Sequence, residues 1–205
     1  MKDLPFDLIG LPAEDVQTLE DTYKLLNEKF SVGIPSDVHF PVKNFDLFSI
    51  SNDIKVGGIL SINGANNFYL VFLKIRYSGY GMYNASRYNY DKYKVWAFIK
   101  TNKDYGRALI RHETLNDRII GLIHPCELNF KDDKHFDHKF YVVCNDEQKA
   151  LLAMNWNFRN AVMEMGDGMM LETVDKDIII GSNINIDPQN TVEIAEFASK
   201  IAALR

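Results

Sequence analysis

Between residues 38 and 143 the sequence passes through eight short β-prone runs, with no helical period held among them. The runs are 38–42, 45–49, 58–62, 68–77, 93–101, 107–112, 119–123 and 139–144, and turn chemistry separates them at Asn63-Gly64-Ala65-Asn66-Asn67, Ser78-Gly79 and Asn102-Lys103-Asp104. Parallel neighbours need a crossover of a dozen or more residues, usually helical. Strand after strand without one therefore dictates a curled, mostly antiparallel sheet.

Helices flank this stretch. From Pro12 to about Phe30 the apolar positions Val16, Leu19, Tyr23, Leu26 and Phe30 recur at spacings of three and four, with Glu14 and Asp15 at the positive end of the dipole. Gly33 is expected to supply a left-handed cap and Pro35 to prevent continuation. After Cys144, Asn145-Asp146-Glu147-Gln148 reads as a capping box opening a helix to about Met165, with Leu151, Met154, Phe158, Val162 and Met165 on its apolar face. Gly166-Asp167-Gly168 breaks it, 169–173 and 178–181 form a hairpin around Asp175-Lys176-Asp177, and Asp187-Pro188 opens a last helix to Arg205. The fold class is α+β: an N-terminal helix, a central curled mostly antiparallel sheet, and two C-terminal helices separated by a hairpin. With no repeat and no linker of boundary length, the expectation is one domain over 1–205, with a subdomain split near 145 as the alternative.

Composition excludes several functions and specifies none. The chain has 205 residues, 46% of them hydrophobic, which suffices for a core without metal or disulfide. Lys and Arg number 23 against 28 Asp and Glu, a net charge of −5 that repels a polyanion, so nucleic acid is not an expected partner. The two cysteines, Cys126 and Cys144, lie in apolar strand-like runs without C-x-x-C spacing, which suits structural thiols in a reducing compartment. Acids occupy the N-terminal residues and no apolar run reaches spanning length, so the expected location is the cytoplasm, with no transmembrane segment.

The candidate sites begin with residues 77–93, which hold six of the ten tyrosines among Gly, Ser and Asn. That mixture is the chemistry of adaptable contact surfaces, with rigid amphipathic rings for area and small residues for fit. Tyr77, Tyr80, Tyr83, Arg87, Tyr88, Tyr90 and Tyr93 are the candidate contacts, and Arg76 or Arg87 can stack on the rings. The plainer alternative is a long hairpin tip or loop whose rings fold over a sheet edge. A second constellation is His124, His135, Asp137 and His138, with His112 available from a neighbouring strand. On a strand, period two puts His135 and Asp137 on one face and His138 on the other, so a kink is needed to gather them on one ion; a solvated loop is the plainer reading. His124-Pro125-Cys126-Glu127 lacks the setting of a nucleophile. Gly57-Gly58 and Gly79-Tyr80-Gly81 lack the strand-loop-helix context of a phosphate loop. Met163, Met165, Met169 and Met170 read as core filler.

One stretch carries a resemblance. Val95-Trp96-Ala97-Phe98-Ile99-Lys100, and then the frame Phe136, Phe140, Val142, Asp146 and Ala150, in which a strand runs into a helix, resemble the C-terminal soluble half of an uncharacterised bacterial family, the DUF3137 type, over residues 94–165. Members of that family generally carry transmembrane helices ahead of that half. The resemblance implies an α+β domain of pleckstrin-homology-like character and no known reaction, and a fold does not license a function.

With no catalytic motif, the first reading is a non-catalytic domain binding a protein partner, its own copy or a small ligand through the tyrosine-rich segment, with no cofactor. The alternatives are a metal-dependent hydrolase-like enzyme on the His/Asp set, which stoichiometric metal would reveal, and a peripheral membrane-associated domain, which the acidic balance disfavours.

Overall fold

The computed structural model describes residues 4–49, 53–80, 87–113 and 126–204. The strand expected at 119–123 lies outside the described residues.

Helix α1 (Ala13–Lys29) buries Leu19, Thr22 and Leu26, as the three-four spacing requires. It does not end on a glycine cap: Phe30 turns extended and the chain enters β1 (Ser31–Gly33), where Gly33 pairs with Ser61. The other strands are β2 (Ile54–Asn63), β3 (Phe68–Tyr80), β4 (Arg87–Lys100), β5 (Arg107–His112), β6 (Cys126–Glu127), β7 (Phe140–Cys144), β8 (Met169–Val174) and β9 (Asp177–Ser182). Among the described residues these nine strands form one open sheet in the order β1-β2-β3-β4-β9-β8-β5-β7-β6. Every pairing is antiparallel. The hairpin around Asp175-Lys176-Asp177 forms as expected, with β8 and β9 inserted between β4 and β5. Ser78-Gly79 is not a turn; the β3–β4 ladder runs through it to Tyr80 and Arg87.

Two expected strands are not strands. Residues 38–49 form a strap carrying two 3-10 turns, Val42–Asn44 and Asp46–Phe48. Period two explains why: an extended chain sends Phe45 to the face opposite Phe40 and Phe48, and the turns bring all three onto one face. There they are buried with Val71, Leu73, Trp96, Phe98, Met170 and Ile179. Phe40 stacks on Phe45, and Phe48 meets Trp96 edge-on at 5.1 Å. Each buried phenylalanine is worth about 1.5–3 kcal/mol, more than a marginal edge strand returns.

The helices cover the opposite face. Its core combines Leu19 and Leu26 of α1 with Leu70, Phe72, Val95 and Ala97 of the sheet, and with Val192, Ala195 and Ala198 of α5 (Pro188–Ala202). Asp187 caps α5, its carboxylate accepting from the Asn190 amide at 2.8 Å with Pro188 in the first turn. The helix expected from 147 to 165 is two: α3 (Glu147–Ala153), capped by Asp146, and α4 (Trp156–Val162), capped by Asn155. A continuous helix would leave Asn155 in its interior. Instead its side chain accepts from the Phe158 amide at 3.1 Å and opens a new N-terminus. The break buries Met154, Phe158 and Val162 and turns Leu151, Leu152 and Trp156 outward.

Candidate interaction surface

β3 and β4 are 13 and 14 residues long, whereas β9 has 6 and pairs with β4 only from Trp96 to Lys100. Outward of Trp96 no described strand lies along the far edge of β4. The Ile186 amide donates to the Tyr93 carbonyl at 2.8 Å, which fixes the parity of that edge. Tyr93 points its backbone groups away from β3, and alternation places those of Asn89 and Asp91 on the same side. The Arg76 amide donates to the Asp53 carbonyl on the β2 side, which is the matching parity in β3.

The tyrosines fall at different depths along this hairpin. Tyr77 and Tyr90 are register partners with rings stacked at 5.5 Å, and Tyr90 is 39% exposed. Tyr80 pairs with Arg87 and Gly79 with Tyr88 in the backbone ladder. The side chains of Tyr80, Arg87 and Tyr88, and all of Tyr83, lie outside the described residues. Tyr93 departs from the surface reading. It is 1% exposed in the core, and its hydroxyl donates to the Asp7 carbonyl at 2.8 Å. Burial raises its pKa. Register explains the difference: Tyr93 faces Lys74 on the helix-covered face, while Tyr90 faces Tyr77 on the other.

At the root of the hairpin lies a charge cluster. Lys74 is nearly buried and donates to the Asp7 carboxylate at 3.0 Å and to the Ile9 carbonyl at 2.5 Å, with Asp91 at 3.7 Å. Arg76 Nε donates to Asp91 at 3.0 Å, and its guanidinium reaches Asp53 at 3.8 Å. The hydrogen bond from Lys74, then one from the Ile9 amide, holds the Asp7 carboxyl below its ordinary value, while Asp91 raises the Arg76 guanidinium. Asp7, Asp53, Lys55, Lys74, Arg76 and Asp91 line a cleft of about 240 Å³. Three carboxylates against three cations leave no charge for a ligand to neutralise. The cluster clamps the N-terminal segment over β2, β3 and β4, where Gly57 lets Tyr93 approach: a Cβ there would lie 2.0 Å from the Tyr93 hydroxyl. Of these charged groups the sequence singled out only Arg76, as a stacking partner for the rings, and its guanidinium is held by Asp91 and Asp53. The signal of the cluster is Lys74 inside the apolar run 68–75.

The described histidines do not gather. Residues 134–139 are a short helix, α2 (Lys134–Lys139), not a strand or loop: Asp133 caps it through the Phe136 amide and Phe136 anchors it in the core. His135 and His138 are exposed, and the Asp137 carboxylate is engaged by the Phe130 amide at 2.7 Å. His112 is buried elsewhere, against Phe140 and the Met165 carbonyl. His124 lies outside the described residues. Among the described residues no three His, Cys, Asp or Glu side chains are grouped to hold a metal.

No helix among the described residues is long and apolar enough to cross a membrane. No family model matches the chain, and no curated protein matches it. Among solved structures it is similar to the crystal structure of the mycobacterial trehalose monomycolate transport factor A, TtfA, with a TM-score of 0.56 over 90% of this chain and 91% of that chain. At 7% sequence identity the likeness is one of fold: a mixed α+β chain with a helix at each end of an open antiparallel sheet.

Proposed function

We propose that this chain is a non-catalytic α+β binding domain whose ligand is a protein strand, taken up along the free edge of β4 beside the Tyr77–Tyr90 face. The observation that carries it is the length mismatch of β4 and β9: among the described residues no strand lies along the outer end of the β4 edge at exposed Asn89, whereas nearer Trp96 the Tyr93 carbonyl is taken by the Ile186 amide and Asp91 is buried. An edge of this kind is a template for strand addition, where main-chain hydrogen bonds supply affinity and side chains on alternate faces supply specificity. The stacked tyrosines add contact area at small entropic cost, and the charge clamp at the root keeps the hairpin in place before any partner arrives. The fold likeness to a transport factor is compatible with a binding role, and the proposal does not rest on it.

A photo-crosslinking amino acid in place of Tyr90 tests this in cells, with the same group at Glu193 on α5 as the control. Discrete adducts at position 90, absent at 193, are expected. Adding Asn89→Pro removes an outward-pointing amide and the bond that the Ser78 hydroxyl donates to the Asn89 side chain at 2.8 Å, both at the exposed end of the hairpin, so the adducts should disappear while the fold survives. Equal labelling at both positions, or adducts indifferent to Asn89→Pro, would refute the edge as the binding site.

A further inference from the structure

The two cysteines of this chain stand opposite one another at the far edge of the sheet. Cys126 is the register partner of Cys144. The Leu128 amide donates to the Val142 carbonyl at 2.9 Å two residues along, so alternation makes Cys126 and Cys144 a hydrogen-bonded pair with Cα atoms about 5.5 Å apart. That separation lies inside the range spanned by disulfides. Both thiols are free, their sulfurs are 3.2 Å apart, and the Cys126 thiol also lies 3.2 Å from the Cys144 carbonyl. A disulfide bond is about 2.0 Å long, so the sulfurs need roughly 1 Å of approach, within reach of side-chain rotation on the existing backbone.

The two thiols differ in access. Cys126 is half-buried on the two-residue edge strand β6, and Cys144 is fully buried in the core. Burial, and then the Cys126 thiol beside it, push the Cys144 thiol up to about 12, so it stays protonated while Cys126 meets solvent first.

We propose that Cys126 and Cys144 form a reversible dithiol–disulfide site, oxidised by a low-molecular-weight disulfide of the glutathione class. The Cys126 thiolate attacks one sulfur of that disulfide, whose sulfur–sulfur bond breaks and releases one thiol with a proton from solvent. The Cys144 sulfur gives up its proton and attacks the Cys126 sulfur of the mixed disulfide, expelling the second thiol. The protein dithiol loses two electrons and two protons, and the small disulfide is reduced to two thiols. Closing the bond ties β6 to β7 across a covalent loop that contains α2, which constrains the unfolded chain and raises the melting temperature by about 5–10 °C.

The test equilibrates the full chain in glutathione buffers from reducing to oxidising, quenches with N-ethylmaleimide and reads the intact mass. The expected oxidised product is two hydrogen atoms lighter, carries no maleimide, and melts higher than the reduced protein. Cys144→Ser should trap a lasting glutathione adduct on Cys126, and Cys126→Ser should form none. Two maleimide adducts on the unsubstituted chain at the oxidising end, or a glutathione adduct there that never resolves, would overturn the proposal, and this measurement decides even if a variant fails to fold.

Discussion

Glu172 occupies β8 between two apolar stretches, and its carboxylate accepts from the amides of Asp46 at 2.8 Å and Leu47 at 3.0 Å, with Arg107 at 3.7 Å. It ties the strap to the sheet. Burial pushes its pKa up to about 7, against the two amide bonds, which pull it down; Asp46 adds to the rise and Arg107 opposes it. The unfolded carboxyl ionises near 4.5 and the folded one near 7, so in that window the native state binds more protons and stability falls as pH rises. The loss is complete above pH 7 and amounts to about 3 kcal/mol from the two values. Urea unfolding of the unsubstituted chain and Glu172→Gln at pH 5 and pH 8 isolates this group. The advantage of the glutamate over glutamine should shrink by about 2.5 kcal/mol from pH 5 to pH 8, because part of the change already lies below pH 5. An unchanged difference would mean that Glu172 does not titrate in this range. Both Glu172 and Lys74 stand out in the sequence as charges inside apolar runs. Their partners do not, because Asp46 lies 126 residues from Glu172 and Asp7 lies 67 from Lys74.

Elements whose signals are local were legible in the sequence: α1 by its spacing, the β8–β9 hairpin by its turn, and α5 by Asp187-Pro188. The segments misread are those where a tertiary demand beat a local pattern, as in the phenylalanine strap, or where one side chain could serve two roles. Asn155 is such a residue, an ordinary helix-interior residue by period and an N-cap by its own chemistry. Its cap is what separates α3 from α4, since the Arg159 guanidinium also takes the Met154 carbonyl at 3.1 Å and secures the end of α3. Asn155→Ala should cost about 1 kcal/mol in urea unfolding, the usual worth of a lost cap. A gain in stability would show that alanine joins the two helices and that the break was never set by the cap.

Across the whole molecule, the class of fold could be read from strand succession, but the strand order could not. The C-terminal hairpin enters between β4 and β5, a non-local pairing that no neighbouring residues encode. Among the described residues that insertion also leaves the outer end of β4 without a neighbouring strand on that side, because β9 is too short to follow it. For the same reason the tyrosine-rich segment was visible as a composition, while its division into a buried Tyr93 and an exposed Tyr90 had to wait for the register. The edge predicts a period-two pattern of amide exchange along one strand. Ala97 and Ile99 point towards β9 and pair with Ile180 and Ile178, so their amides should be protected to near global stability. Asn89 and Asp91 share that parity where β9 is absent; exposed Asn89 should exchange much faster, and buried Asp91 at a rate between the two. Tyr90 and Lys92 point to β3, facing Tyr77 and Ile75, and should stay protected between them. Residue-resolved exchange by nuclear magnetic resonance reads all six positions in one experiment. Slow exchange at Asn89 in the isolated chain would mean that another part of the molecule already fills the edge and that no strand can add there.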